Sequence, residues 1–423
     1  MKAGYLSEFF TGVAIKTLSA VEADLARSHQ HEFNGNQDLI RVFGRAGEKR
    51  IFPAKFIYLT GDNGLNDSDQ PIVEDATVTW YDARLRHRTR TEHRLYFPTT
   101  AVSQAAAEGD IIVIGKRPDG SVLVIVAQCR STIASQIQWL FSVPHATLQG
   151  FAIREDLDTE QDRIQFASTF ILEQIGIAVE TTDDSWLHKM LEKFGAAFPT
   201  TRLFSAWARS TLPEVTAHCD PDAALLAWME REEILFRTLE KHLLAERLAQ
   251  GFNEDTEGFL QFALSVLNRR KSRVGLALEN HLEVVFTQNK ILYDRTAATE
   301  GKAKPDFLFP SGKHYRDEHL DAGLLTMLGV KSTCKDRWRQ VLAEAKRIDA
   351  KHLLTLEAAI SKDQTREMRH HNLQLVIPRK LQATYAPDQR PHLIDLETFI
   401  RLVRDRQFRA LSSSTAPLLP NNL

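Results

Sequence analysis

The chain has 423 residues, 43% hydrophobic and 26% charged, the balance of a soluble globular protein too long for one core, so two domains are expected. No apolar run is long enough to span a bilayer, and the N-terminus MKAGYLSEFFTGVAIKTL has no secretory-signal pattern, which predicts a cytoplasmic protein without membrane attachment. Three scattered cysteines, Cys129, Cys219 and Cys334, exclude a disulfide framework and a Cys-based zinc site.

In chain order, the first part reads as β-rich. Phe52–Leu59 and Thr77–Tyr81 read as strands separated by Asn-, Asp- and Gly-rich loops. Asp110–Gly115 and Val122–Ala127 are apolar runs joined by Lys-Arg-Pro-Asp-Gly, a strong turn signal. Arg163 to Gly176 turns helical. The mixed segment 179–197 is the expected linker, which leaves 1–178 as the first domain. Asp222 is placed to cap a long amphipathic helix reaching Ala249, stopped by Gly251. Glu257–Val266 and Val274–Phe286 read as two further helices. Asp306–Phe309 and Leu324–Lys331 look like buried strands, followed by a polar helix from about Asp336 to Ile348. A strand at His352–Leu356, a helix at Gln364–His371, a strand at Leu373–Pro378 and a helix at Leu396–Arg404 complete an α/β pattern. The second domain is therefore expected over 198–410, with a disordered tail at 411–423.

A formal net charge of −2 argues against a nucleic-acid partner, but the average hides the distribution. Arg84, Arg86, Arg88, Arg90 and Arg94 fall in one run with His87 and His93. Arg269, Arg270, Lys271 and Arg273 form a second cluster, and Lys331, Lys335, Arg337 and Arg339 a third. Local stripes, not net charge, set phosphate affinity. Each run alone is equally compatible with a solvated face.

Phosphodiester hydrolysis near neutral pH needs a metal ion, carboxylates to hold it and a cation near the attacked phosphate. Mg²⁺ keeps several waters, so one or two carboxylates at a strand edge suffice. Pro305-Asp306 opens one expected strand and Lys331 ends the next, the acid-plus-lysine arrangement of a PD-(D/E)xK nuclease. By itself this spacing is also met by a loop Asp and a surface Lys. The second acid of that pattern belongs two positions before the lysine, where this chain has Gly329. Glu344, on the face of Arg337 and Val341 in the following helix, is an alternative source of the carboxylate.

Longer motifs narrow the reading. Val330-Lys331-Ser332-Thr333-Cys334-Lys335-Asp336-Arg337-Trp338-Arg339-Gln340, Asn268-Arg269-Arg270-Lys271-Ser272-Arg273, and Thr299-Glu300-Gly301 leading to Lys304-Pro305-Asp306-Phe307-Leu308-Phe309-Pro310-Ser311 resemble the catalytic core of EcoRII-type restriction endonucleases. The resemblance runs from roughly Phe198 to the end of the last helix. It implies a permuted site in which Asp306 and Glu344 bind Mg²⁺, Lys331 stabilises the reacting phosphate and Glu279 assists. It also implies that Lys335, Asp336 and Arg337 read bases at a CC-N-GG type of target, Arg337 donating to guanine and Asp336 accepting from cytosine. Arg269, Arg270, Lys271, Arg273 and Tyr315 are the candidates for DNA-backbone contacts.

A fainter resemblance covers the first domain. Lys16-Thr17-Leu18-Ser19-Ala20, His29-Gln30 and Tyr81-Asp82-Ala83-Arg84 through His93-Arg94 are similar to pieces of the family's B3-like pseudobarrel effector domain. Lys16, Arg84, Arg88, Arg90 and Arg94 would there grip a second copy of the site. The implied protein is a type IIE enzyme: a homodimer that cuts double-stranded DNA, leaves 5′-phosphate ends and is activated by an effector site. A palindromic target read once per half-site requires two-fold symmetry. Two other readings stay open at this point: a non-catalytic DNA-binding regulator, and a nuclease dependent on base modification.

Overall fold

The computed structural model describes residues 4–23, 31–46, 48–60, 71–87, 89–143, 150–164, 166–179, 182–334 and 337–414. The chain divides into two compact units. One comprises Met1–Val179 and Ala358–Thr365, the other Glu180–Glu357 and Arg366–Leu423.

The first unit is built on eight strands: β1 (Gly12–Thr17), β2 (Glu32–Gly35), β3 (Arg50–Leu59), β4 (Ile72–Asp82), β5 (His93–Tyr96), β6 (Ile111–Lys116), β7 (Val122–Ala127) and β8 (Ala152–Arg154). They form one sheet in the order β2-β5-β4-β3-β7-β6-β1-β8, antiparallel except for the β3–β7 pair. The apolar runs read at β6 and β7 are continuous because both faces of the sheet are covered. Ile111, Val113, Leu123 and Ile125 join one core, while Ile112, Ile114, Val122 and Val124 join the other. The turn between these strands has Gly120 at φ 85°, with the Asp119 carboxylate accepting from the Ser121 N–H at 2.8 Å. The helix expected over 163–176 is present as Phe166–Gln174.

The second unit combines helices with a five-stranded sheet ordered β13-β12-β11-β10-β9. Its strands are β9 (Asp294–Arg295), β10 (Phe307–Phe309), β11 (Thr326–Lys331), β12 (Lys351–Thr355) and β13 (Leu373–Val376). β9, β10 and β11 pair antiparallel, β11, β12 and β13 parallel. Phe286, Phe307, Phe309 and Phe399 meet edge-on or tilted at 5.1 to 6.4 Å and tie the sheet to the helices on either side of it in sequence.

Four local expectations are corrected here. The long helix Pro221–Gln250 is capped by Asp220, whose side chain accepts from the Ala223 N–H at 2.9 Å. Asp222 lies inside it, buried, and accepts the backbone N–H groups of Arg379, Leu396 and Glu397 at 2.9 to 3.0 Å. Gly251 does end the helix, at φ 67°. The two helices read at 257–266 and 274–286 are one, Thr256–Gln288, because the Arg-Arg-Lys-Ser-Arg stretch between them has good helix formers and no breaker. The segment read as a linker contains a helix, Leu187–Phe194, whose Met190 is buried against Phe204, Leu235 and Phe236. The last helix runs from Leu396 to Ser414 rather than stopping near 404, and 415–423 lie outside the described residues.

Candidate active site

Asp306 immediately precedes β10 and Lys331 ends β11. β10 pairs with β11 so that Phe307 faces Leu328. Continuing that register by one residue sets Asp306 opposite Gly329. The Asp306 carboxylate oxygen Oδ2 accepts the Val330 N–H at 2.6 Å and the Lys331 ammonium at 3.0 Å. Both side chains keep about a fifth of their surface open to solvent. The acid-plus-lysine pair read from the sequence is thus a physical contact.

Gly329 shares a face with Lys331, and that face is filled by Val341. A Cβ built on Gly329 would lie 2.7 Å from Val341 Cγ2 and 3.0 Å from Cγ1. No acid fits at this strand position while Val341 is there. The helix that supplies Val341 is a single turn, Trp338–Leu342, shorter than the 336–348 expected. Glu344 therefore does not project from the helix but from the bend after it, its N–H returning to the Val341 carbonyl at 3.2 Å. Ala345 next to it holds the left-handed region at φ 47°, which a non-glycine residue adopts at a cost.

Glu344 is half-buried, and its Oε2 is a buried oxygen without a hydrogen-bond partner. Burial pushes its carboxyl up to about 7, the negative Asp306 adding to the shift and Lys331 and Lys351 opposing it. An orphaned buried carboxylate oxygen within electrostatic reach of a second carboxylate is a donor set that a divalent cation would complete. Among the described residues there is no cluster of three or more His, Cys, Asp or Glu side chains placed to hold a metal ion. Mg²⁺ does not require one, because it fills most of its octahedron with water. Asp306 and Glu344 fit such an ion.

Glu279, on the helix Thr256–Gln288, is within electrostatic reach of Asp306 and Lys331. Burial raises its carboxyl, while Arg295 opposes the shift through a contact at 2.7 Å. Arg295 also binds Glu283 at 2.9 Å and Asn280 at 2.9 Å, so it fixes this helix face to β9. Sequence reading missed Arg295, although Glu279 and Glu283, four apart on one helix face, call for a shared cation. It also missed Lys351, buried at the start of β12, whose ammonium donates to the Ile348 carbonyl at 2.7 Å. Glu300 likewise has a structural part: its carboxylate accepts from the Tyr315 hydroxyl at 2.6 Å and the Lys346 N–H at 3.2 Å.

Several expected DNA contacts are redirected. Tyr315 is 3% exposed, its hydroxyl donating to Glu300 and accepting from the Arg347 N–H. Arg273 is buried within the helix bundle, paired with Glu232 at 3.2 Å and with Glu233. Arg270 pairs with the buried Glu240 at 2.6 Å, and Arg269 stacks 4.2 Å above the Phe198 ring. Lys271 alone of this cluster is exposed. Arg337 is exposed and stands at the N-cap of Trp338–Leu342, while Lys335 and Asp336 lie outside the described residues. In the first unit, Lys16 is buried on β1 and paired with Glu22 at 2.6 Å. Arg84 pairs with Glu92, and Arg94 with Glu92 and with Glu32 at 2.6 Å. Arg90 is exposed and Arg88 lies outside the described residues.

The structure thus brings an acid and a lysine together from adjacent strands, with a second acid supplied by the turn beyond. Residues 236–400 match the family model of the EcoRII C-terminal domain, and Glu279, Asp306, Lys331 and Glu344 all fall within the match. Over 182 residues the chain is 44% identical to the type II restriction enzyme EcoRII of Escherichia coli, an alignment covering 43% of this chain and 45% of the relative. The chain thus spans about half the length of the curated relative it matches. Among solved structures, metal-depleted Ecl18kI in complex with uncleaved DNA is similar at 17% identity and a TM-score of 0.43, covering 56% of this chain and 87% of that one. The PspGI restriction endonuclease–substrate DNA complex is similar at 15% identity and a TM-score of 0.42, covering 50% and 94%. No helix among the described residues is long and apolar enough to cross a membrane.

Proposed function

We propose that this protein is a type II restriction endonuclease that hydrolyses phosphodiester bonds of double-stranded DNA with Mg²⁺ as cofactor. The observation that carries the reading is the Asp306–Lys331 contact at 3.0 Å beside the unpartnered carboxylate of Glu344. Asp306 and Glu344 hold the metal, which when bound supplies charge neutralisation and an activated water. Lys331 neutralises the attacked phosphate. Asp306 fixes the Lys331 ammonium and, through the Val330 N–H, the end of β11. Glu279, held by Arg295, contributes a further carboxylate close by. Arg337, with Lys335 and Asp336, reads C·G pairs in a CCNGG- or CCWGG-like target, and two copies of the chain serve its two halves. Cleavage leaves 5′-phosphate ends.

The first unit, in this reading a B3-like domain, binds an effector copy of the site. With Lys16, Arg84 and Arg94 engaged in ion pairs, Arg86 and Arg90 are the exposed arginines among the described residues between β4 and β5 that would reach phosphate. The test is cleavage of a plasmid of known sequence, methylated and unmethylated, by the wild type, Lys331→Ala and Glu344→Ala. Both variants are expected to lose cleavage and keep duplex binding. Near-normal cleavage by Glu344→Ala overturns the permuted site. A wild type that binds without cutting leaves a DNA-binding regulator, and cutting confined to methylated plasmid leaves a modification-dependent nuclease.

A further inference from the structure

The two carboxylates proposed to hold the metal come from separate elements. Asp306 closes the loop 296–306 between β9 and β10, and Glu344 sits on the bend after the helix Trp338–Leu342. Such carboxylates share one ion only while their separation is fixed, and the hydrogen bonds around them fix it.

Glu300 stands at the tip of that loop. The loop is closed at its base by the Thr296 N–H, which donates to the Asp306 carbonyl at 3.2 Å. It is closed again nearer the tip by the Thr299 N–H, which donates to the Ala303 carbonyl at 2.8 Å. Gly301 and Lys302, at φ 63° and 67°, make the reversal. From the tip the Glu300 carboxylate crosses to the bend, where its Oε2 accepts the Lys346 N–H at 3.2 Å. The Tyr315 hydroxyl donates to Glu300 at 2.6 Å and accepts the Arg347 N–H at 3.2 Å. The Arg347 guanidinium fastens the same point to the carbonyls of Asp317 and Leu320, both at 3.0 Å. On the other side of Glu344, Val341 is packed against Gly329. Ala345, between these anchors, is fully buried at φ 47°, a conformation that an alanine keeps only where its surroundings impose it. We infer that Glu300 is a positioning residue of the proposed nuclease: it ties the loop that delivers Asp306 to the bend that delivers Glu344, and so sets the gap between the two carboxylates. Its own oxygens are taken up by Tyr315 and Lys346, so it acts through Glu344.

This role rests on the metal-dependent nuclease reading. Mn²⁺, a paramagnetic stand-in for Mg²⁺, is titrated into the full chain above neutral pH, and the free ion is followed by electron paramagnetic resonance. The Mg²⁺ requirement of plasmid cleavage is measured beside it. Glu300→Ala and Glu300→Gln alter an exposed loop side chain and are expected to fold as the wild type does. Glu300→Ala should weaken Mn²⁺ binding by about tenfold or more and raise the Mg²⁺ requirement in proportion, with the rate at saturating Mg²⁺ close to that of the wild type. Glu300→Gln keeps an oxygen that can accept from both Tyr315 and the Lys346 N–H, and should retain the wild-type affinity. A loss of folding alone would instead lower the unfolding temperature and the amount of active protein at an unchanged Mg²⁺ requirement. Glu300→Ala with wild-type Mn²⁺ affinity and Mg²⁺ requirement overturns the positioning role alone. So does Glu300→Gln as impaired as Glu300→Ala, because charge and not the hydrogen bonds would then matter. A wild type that neither binds Mn²⁺ nor cleaves overturns the nuclease reading as well.

Discussion

Val341 occupies the space that a side chain on Gly329 would need: its Cγ2 lies 2.7 Å from where a Cβ would stand. A contact that close forces backbone or neighbour to move. Gly329→Ala is expected to destabilise the second unit by about 1–3 kcal/mol, as overpacking does. Adding Val341→Ala should recover most of the loss, measured by urea unfolding of the single and double variants. Equal stability of Gly329→Ala and wild type would mean that the strand acid is absent for some reason other than space.

Glu344 gives the protein a dependence on pH. Its carboxyl holds a proton up to about 7 in the folded state, above the ordinary glutamate value. At this group the folded state therefore binds more protons than the unfolded one between about 4.5 and 7. The stability that Glu344 contributes without divalent cation is lost as pH rises through that window and levels off above it. Glu344→Gln should flatten this slope in thermal unfolding scans across pH 4.5 to 8. Mg²⁺ should stabilise the wild type most at the upper end of the window, where proton competition has ended.

Arg273 and Lys271 sit two residues apart and should behave as opposites. Arg273→Ala removes the guanidinium shared by Glu232 and Glu233, leaving them His281 at 2.9 Å and Arg237 at 2.6 Å, at a cost of about 3 kcal/mol, the lower end for breaking a buried ion pair. Lys271→Ala removes an exposed side chain and should stay within about 0.5 kcal/mol of wild type. Chemical denaturation compares them directly. A mild Arg273→Ala would deny the buried network its structural role.

Arg337 is exposed at its helix start, so Arg337→Ala should leave unfolding unchanged. If it reads guanine, the variant loses about 1–3 kcal/mol of preference for cognate over scrambled duplex. Competition binding with the two duplexes measures the difference. Equal loss on both would make Arg337 a phosphate contact.

The strands were the most legible part of the chain. β6 and β7 announced themselves as apolar runs around a Pro-Asp-Gly turn, and the Asp306–Lys331 contact followed from two strand ends. The charged helix positions were legible only as charges. Arg269 to Arg273 read as a basic loop because sequence does not display Glu232, Glu233 and Glu240 on the neighbouring helix. Lys16 and Arg94 misled for the same reason, their partners Glu22 and Glu32 lying in other elements or turns. Glu344 was found through the hole at Gly329, but the bend that carries it was not, since a one-turn helix ending at Leu342 leaves no punctuation of Gly or Pro.

Asp222 ties three separate backbone segments together, and two of its partners, Leu396 and Glu397, open the final helix. Further along that helix, Arg406 reaches Thr326 at 3.0 Å, the first residue of the strand that ends in Lys331. The helix also buries Val403 and Ala410. The match to the family model stops at residue 400, within this helix. A fragment trimmed to those limits would lose the brace behind the strand that carries Lys331 and leave the helix end frayed. Protein engineers excising the second unit should therefore carry the chain through Ser414 and place any fusion beyond it.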